Sequence, residues 1–305
     1  MSYIITFKNE FPLGGLTWQF IFLAENIYYA NLKQMKFFIE DINFPFKYNK
    51  GWHDYFNSLD SIQDHDVIPS PLEVYNRWNH NLSSIPLKIY RTIFDSIIIL
   101  QPYLQKMLED TQNKYGLISN EYDAVMIRRG DKLHAESAYV AVSEYLDLLV
   151  NKNSNKIFLQ TDDYGVYLEA LNYLHEKYAD KNIELITICP SWKRGTITYK
   201  YEYDKIMLER ETTRNKEYIE YLLKHNICPI DQLPADKMKE HNDEVIIGLE
   251  ICRLSRYFSC DFQTNVTRYI YIRHQNPNNV LVIKNGKCPD FDTPCNPIHN
   301  DFGMK

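Results

Sequence analysis

The chain has 305 residues and carries 34 Lys and Arg against 40 Asp and Glu, a formal net charge of −6. That length suggests about two domains at roughly 150 residues each, and the absence of any basic block argues against a broad nucleic-acid footprint. Glycine supplies only 10 of the 305 residues, about 3% against a usual ~7%, which excludes collagen-like and Gly-rich low-complexity chains.

Neither GxGxxG nor GxxxxGK[ST] occurs, so the usual dinucleotide fingerprint and the P-loop are missing. Hydrophobic residues make up 45% and charged residues 24%, an ordinary balance for a soluble globular protein. No stretch approaches the ~18 apolar residues that span a bilayer, and the patch at Ser96–Leu100 is far too short. The start, Met1 to Phe7, has no basic segment and no long apolar run, so it is not read as a signal peptide and a cytosolic location is expected. The six cysteines (Cys189, Cys228, Cys252, Cys260, Cys288 and Cys295) show no CxxC pair and are expected to be mostly buried apolar residues. Cys288 and Cys295 are the only place to look for zinc.

In chain order, Ser2–Lys8 alternates like a strand. Gly14-Gly15 follows a Pro-containing turn, and Leu16–Met35 has the spacing of an amphipathic helix through Phe20, Leu23, Ile27 and Ala30. Lys36–Ile42 returns to strand character, giving the β-loop-α-β start of a nucleotide-binding layer. Residues 44–70 are irregular and aromatic, with Trp52, Tyr55 and Phe56; Pro71–Asn81 and Gln101–Tyr115 look helical. Alternation then resumes: strand Tyr122–Ile127, helix Val142–Lys152, strand Lys156–Gln160, helix Tyr164–Ala179, strand Ile183–Cys189. Residues 190–238 are polar, with a helix expected at Lys205–His225. Helix Glu244–Ser255, strand Tyr257–Cys260, helix Thr264–His274 and strand Val280–Lys284 complete the series. The expected division is an N-terminal α/β domain over 1–118, a Rossmann-like domain over 119–285 and an irregular tail over 286–305.

The strongest local signal is Ile127-Arg128-Arg129-Gly130-Asp131-Lys132. It sets two arginines at the carboxyl end of an expected parallel strand, where open α/β sheets bind ligands. Paired guanidinium groups can fork onto phosphate oxygens; the competing reading is a mixed-charge surface loop. Glu136, four residues past Lys132, is either a general base beside that loop or a solvated acid at a helix start. Thr161-Asp162-Asp163 closes a strand and opens a helix, so capping, a ligand edge and a metal site are all open, with capping favoured by spacing. Thr264 and Asn265 open another helix, whose N–H groups either take a phosphate or are simply capped. Glu250 sits in an apolar helix run and therefore needs a partner; a guanine base, with two N–H donors, would be one.

Arg128-Arg129-Gly130-Asp131-Lys132, followed by Glu136-Ser137-Ala138-Tyr139 and Glu144-Tyr145, resembles the signature of the α1,6-fucosyltransferase family. Thr161-Asp162-Asp163, the Glu244–Arg268 segment and the Gly14-Gly15 loop are similar in order to that family's other motifs. The resemblance runs best from about 122 to 283. It implies an α/β, GT-B-like fold of two Rossmann-like domains facing a cleft, the first on the acceptor side and the second binding the nucleotide sugar. It further implies inverting, metal-independent transfer of fucose from GDP-fucose to a glycan, with the GDP-sugar as substrate and no cofactor. By residue it implies that Arg128 and Arg129 hold the diphosphate and that Asp131, Lys132 and Glu136 form the catalytic group, Glu136 as base. Tyr145, Asp162 and Asp163 would support the site, Glu250 would read guanine, and Thr264, Asn265, Gly14 and Gly15 would approach the donor. The chain departs from the pattern at Met126, where the family has His, at Glu250, where it has Asp, and at Gln263-Thr264, where it has Ser-Ser. Transfer of another sugar such as xylose from a GDP or UDP donor, and non-catalytic nucleotide-sugar binding, are the alternatives.

Overall fold

The computed structural model describes residues 2–5, 15–32, 34, 36–39, 41, 44–59, 85–130, 139–197, 204, 229–261 and 264–283. Two compact units divide the chain, Met1–Lys106 and Met107–Cys288. The division falls inside the helix Pro102–Tyr115.

In the first unit, β1 (Ser2–Ile5) pairs in parallel with β2 (Lys36–Ile39), Ser2 opposite Lys36 and Ile5 opposite Ile39. The crossover between them is α1 (Leu16–Leu32), shorter at its C-terminus than the pattern to Met35 suggests. Phe20, Leu23, Ala24, Ile27 and Ala30 of α1 are buried, the stripe expected of a helix laid on a core. Against it lies the aromatic segment after β2. Phe20 meets the rings of Trp52 and Phe56 edge-on at 5.8 and 5.3 Å. Trp52, Tyr55 and Phe56 are 0% exposed, so these rings are core and offer nothing to a sugar. A buried aspartate organises the turn before them: Asp54 accepts the backbone N–H groups of Tyr48, Asn49, Lys50 and Gly51 at 2.8–2.9 Å.

Helix α2 (Leu87–Ile97) has no counterpart in the sequence-based series. Its buried residues Tyr90, Ile93, Phe94 and Ile97 keep helical spacing, but the β-branched run from Ile97 to Ile99 obscures it. Helix α3 (Pro102–Tyr115) follows, one residue inside the expected span. The expected helices at Pro71–Asn81 and Lys205–His225 lie outside the described residues.

The second unit runs β3 (Asp123–Ile127), α4 (Val142–Val150), β4 (Lys156–Thr161), α5 (Tyr164–Lys177), β5 (Glu184–Ile186), α6 (Ala235–Arg253), β6 (Phe258–Cys260), α7 (Asn265–Arg273) and β7 (Val280–Val282). Its strands form one parallel sheet in the order β5-β4-β3-β6-β7. All five residues of β3 are buried, as in a strand covered on both faces. Val125, Ile127, Ile157 and Leu159 pack with Tyr145, Leu146 and Leu149 of α4 and Val166, Ala170 and Leu174 of α5. The alternate strand residues turn to α6: at Gly248 a Cβ would run into the side-chain amide of Gln160, so the helix lies directly on β4. Buried Asp123, at the start of β3, binds Arg256 Nε and Nη2 at 3.0 and 2.8 Å and the Tyr257 N–H at 3.0 Å, tying β3 to the residues that lead into β6.

Helix α6 begins well before the expected Glu244. Its first half is polar, so burial periodicity cannot show it; Pro234 stands at its N-cap. The other elements lie within a few residues of their expected spans, β5 being shorter than Ile183–Cys189. Among the described residues no helix is long and apolar enough to cross a membrane.

Candidate functional site

The chain leaves β3 toward β4 on one side, and returns through α6 to β6 on the other side of β3. The strand order therefore reverses between β3 and β6. Diverging connections leave a crevice at the carboxyl ends of those two strands, where ligands of open α/β sheets bind. A pocket opens there, lined by Met126, Arg128, Arg129, Tyr145, Asp261, Thr264 and Thr267.

The arginine turn is held from below. Asp162, directly after β4, accepts the Arg129 backbone N–H at 2.8 Å on Oδ1. Its Oδ2 receives Arg128 Nε at 3.4 Å and the Thr196 hydroxyl at 3.3 Å. Gly130 completes the turn with φ +30°, and a Cβ there would collide with the Thr196 carbonyl and come within 2.7 Å of Asp162 Oδ2. Glycine is required by both the dihedral and the close approach. The Arg129 side chain is 5% exposed. It donates from Nη2 to the Val140 carbonyl at 3.0 Å and lies 4.3 Å over the Tyr139 ring. Tyr139 in turn donates to Glu169 at 3.2 Å.

Across the pocket, Thr264 caps α7, its hydroxyl accepting the Thr267 N–H at 3.3 Å. The free N–H groups and positive dipole end of α7 thus add to the field of the two arginines. Tyr145 is buried on α4, and burial together with the nearby Asp261 charge pushes its phenol well above the ordinary value, against the pull of Arg129. It stays protonated and can donate a hydrogen bond.

The structure thus brings Arg128, Arg129, Tyr145 and Thr264 to one pocket, with Asp162 holding the arginine turn beneath it. Asp163 does something else: it caps α5, accepting the Gly165 N–H at 2.7 Å. Asn265 is the first residue of α7 and does not line the pocket. Gly15 opens α1 in the other unit, its carbonyl accepting from Trp18 N at 2.9 Å. Gly14, Asp131, Lys132 and Glu136 lie outside the described residues.

Glu250 is 2% exposed, but its partners are protein. It binds Arg253 Nε at 2.5 Å and also Arg273. These arginines are the last residues of α6 and α7, which draws the carboxylate away from the pocket. The need for a partner was legible from the apolar run around Glu250; that both partners are arginines was not.

Asp261 and Thr267 join the pocket without having been singled out, and Met126, the departure from the family pattern, lines it as well. Thr267 is the i+3 partner of Thr264, a signal the capping pattern contains. Lys193 was hidden in a long polar stretch. It is 3% exposed and binds Glu244 at 2.6 Å. One turn before Glu244 stands His241, whose pKa lies well below the ordinary 6.5 because of burial and the positive charges of Lys193 and Arg128. Cys189, Cys252 and Cys260 are buried free thiols. Among the described residues no group of three or more His, Cys, Asp or Glu is placed to hold a metal ion.

Fold and pocket together define an α/β protein of GT-B-like fold, with a cationic pocket at the switch point of its second unit. No family model matches the sequence, and no curated protein matches it. In three dimensions the chain is similar to the fucosyltransferase NodZ from Bradyrhizobium, with TM-score 0.51 and 11% identity over 88% of this chain and 92% of that one. A selenomethionine form of NodZ aligns with TM-score 0.50 and 12% identity over 88% and 91% of the two chains. The likeness is one of fold, and it agrees with the fold that the sequence motifs imply.

Proposed function

We propose that the protein is a glycosyltransferase that moves fucose from GDP-fucose to a glycan acceptor, with inversion and without a metal ion. The observation that carries this reading is the convergence of Arg128, Arg129 and the capped N-terminus of α7 on one pocket. Glycosyl transfer leaves negative charge on the departing diphosphate. Preorganised cations and helix N–H groups aimed at that charge stabilise it in the transition state, which is the task a divalent cation would otherwise perform. The fucosyltransferase named above, with the same fold, supports the reaction class, and the motif resemblance supports the donor.

In this reading Arg128 and Arg129 grip the diphosphate, Asp162 holds their turn in place, and Tyr145 and Thr264 donate to it. Glu136, seven residues beyond Arg129, takes the proton of the acceptor hydroxyl as the new bond forms opposite the leaving group. Lys132 and Asp131 tune that proton transfer. The protein acts in the cytoplasm on a nucleotide sugar and a glycan.

One observation favours a second reading of the donor. Both oxygens of Glu250 are engaged by arginines and the side chain does not line the pocket, so a guanine edge would have to compete with two charged partners for this acid. A UDP-sugar on the same scaffold fits that fact better than a guanine nucleotide does. Thermal-shift titrations with GDP, UDP and GDP-fucose separate the two, followed by NMR of donor consumption. GDP and GDP-fucose are expected to stabilise the protein and UDP is not. Stabilisation by UDP alone would replace the donor, and stabilisation by none would remove the transferase reading. Glu136→Gln is expected to lower turnover by about 10²–10⁴-fold while the thermal shift with GDP stays.

A further inference from the structure

The segment after β5 holds Trp192, 63% exposed. An indole left in water forgoes the stabilisation its burial would bring. Disorder does not explain it, because the turn beneath is pinned from every side. The Lys193 N–H returns to the Pro190 carbonyl at 3.0 Å, the Tyr164 N–H donates to the Lys193 carbonyl at 2.9 Å, and the Gly195 N–H donates to the Asp162 carbonyl at 2.8 Å. Arg194 Nη1 donates to the Ser191 carbonyl at 2.7 Å, and its guanidinium lies 5.7 Å over the Tyr164 ring. The Lys193 ammonium is buried against Glu244 at 2.6 Å. The indole of Trp192 faces solvent from this pinned turn.

We propose that Trp192 is a stacking platform for a pyranose ring of the glycan acceptor. This rests on the transferase reading and gives its acceptor side a place. A pyranose presents weakly positive C–H bonds on one face, and the indole presents a broad, electron-rich face of matching size. Every rotamer or loop frozen on binding costs affinity, and the pinned turn has already met the loop's share of that cost. A protein partner fits less well: the described neighbours of the indole in the turn are exposed Ser191, half-buried Arg194 and buried Lys193, none of them apolar. The platform is also tied to the cationic pocket. Gly195, three residues on, is bonded to Asp162, which holds the Arg128-Arg129 turn. Three residues span at most about 11 Å, so a sugar on Trp192 lies within a short glycan's reach of the donor phosphates.

The experiment compares wild type with Trp192→Phe and Trp192→Ala, using cellotetraose, maltotetraose and chitotetraose as probes. Direct binding is read without donor, by indole fluorescence and saturation-transfer NMR; donor binding is read separately as the thermal shift with GDP. At least one oligosaccharide is expected to quench and blue-shift the indole emission in wild type and not in Trp192→Phe. Trp192→Ala is expected to weaken that oligosaccharide about tenfold or more, the size of a lost aromatic anchor, with Trp192→Phe retaining most of the affinity. The GDP shift is expected to be unchanged in both variants. If no probe perturbs the Trp192 indole, or if Trp192→Ala binds as wild type does, the platform is refuted. A missing GDP shift in wild type would instead sink the transferase reading, and leave the sugar-binding result to stand or fall by itself.

Discussion

Asp162 Oδ1 accepts the backbone N–H of Arg129 at 2.8 Å while its neighbour Asp163 caps α5. Two adjacent acids with the same sequence context therefore have separable effects. Asp162→Ala frees the arginine turn and removes a partner of Arg128 Nε. A hydrogen bond to a charged group is worth about 1.5–3 kcal/mol, so GDP affinity is expected to fall about tenfold to a hundredfold by calorimetry. Asp163→Ala removes a helix cap, which costs about 1 kcal/mol of stability and should leave GDP affinity within twofold or so of wild type. Equal losses of affinity in both variants would show that the two acids act as one site.

Gly130 and Gly15 give a second paired test. At Gly130 the φ of +30° and the backbone of Thr196 both exclude a Cβ. Gly130→Ala should cost about 1–3 kcal/mol in strain, read as a lower urea midpoint, and should weaken GDP binding because the strained turn carries the arginines. Around Gly15 a Cβ would meet nothing within 4 Å. Gly15→Ala is expected to hold or slightly raise stability, by up to about 1 kcal/mol. If it nonetheless loses donor binding, the ligand itself must come close to that backbone.

The sheet of the second unit was legible because its strands are covered on both faces and read as apolar runs; β3 and β4 stand within a residue of their expected spans. The arginine turn was legible for the same reason, since Arg128 ends an apolar run and must lie at a strand end. What stayed hidden depends on contacts between distant segments. Nothing near Thr196 or Lys193 announces that their loop folds under Gly130 and Asp162. The polar first half of α6 is helical without a buried stripe, so periodicity could place only its second half. Trp52, Tyr55 and Phe56 have the residue types of a sugar platform, and only packing against Phe20 and Phe44 shows that they are core.

In the first unit, His53 and Asp54 give opposite pH dependences. His53 shares a hydrogen bond with Asp41, which raises its pKa above 6.5 against the effect of burial. A raised folded value stabilises the fold below the unfolded value, and that contribution fades as pH rises through the folded one. Burial pushes Asp54 up, but four backbone N–H groups outweigh it and hold its pKa below 3.8. Its contribution is present above 3.8 and is lost as pH falls through the depressed value. Thermal unfolding across pH should therefore show a decline as pH rises from 6.5 through the raised value, which His53→Gln abolishes, and a separate acid decline that Asp54→Asn abolishes. A Tm profile identical in wild type and both variants would overturn these assignments.

Glu250 sets the sharpest division between a structural and a ligand-reading role. Its side chain and that of Arg273 are 3% and 5% exposed, and Arg253 closes the other side. Removing one member of a buried charge group leaves the others uncompensated, which typically costs about 3–5 kcal/mol. Glu250→Ala is thus expected to lower Tm sharply while the protein that remains folded, assayed well below that Tm, binds GDP as wild type does. Glu250→Gln keeps two hydrogen-bonding atoms and should fall between. A base-reading role predicts the reverse, with Tm held and GDP affinity lost selectively over UDP. Measuring both quantities on the same two variants decides whether this carboxylate belongs to the helix pair or to the nucleotide.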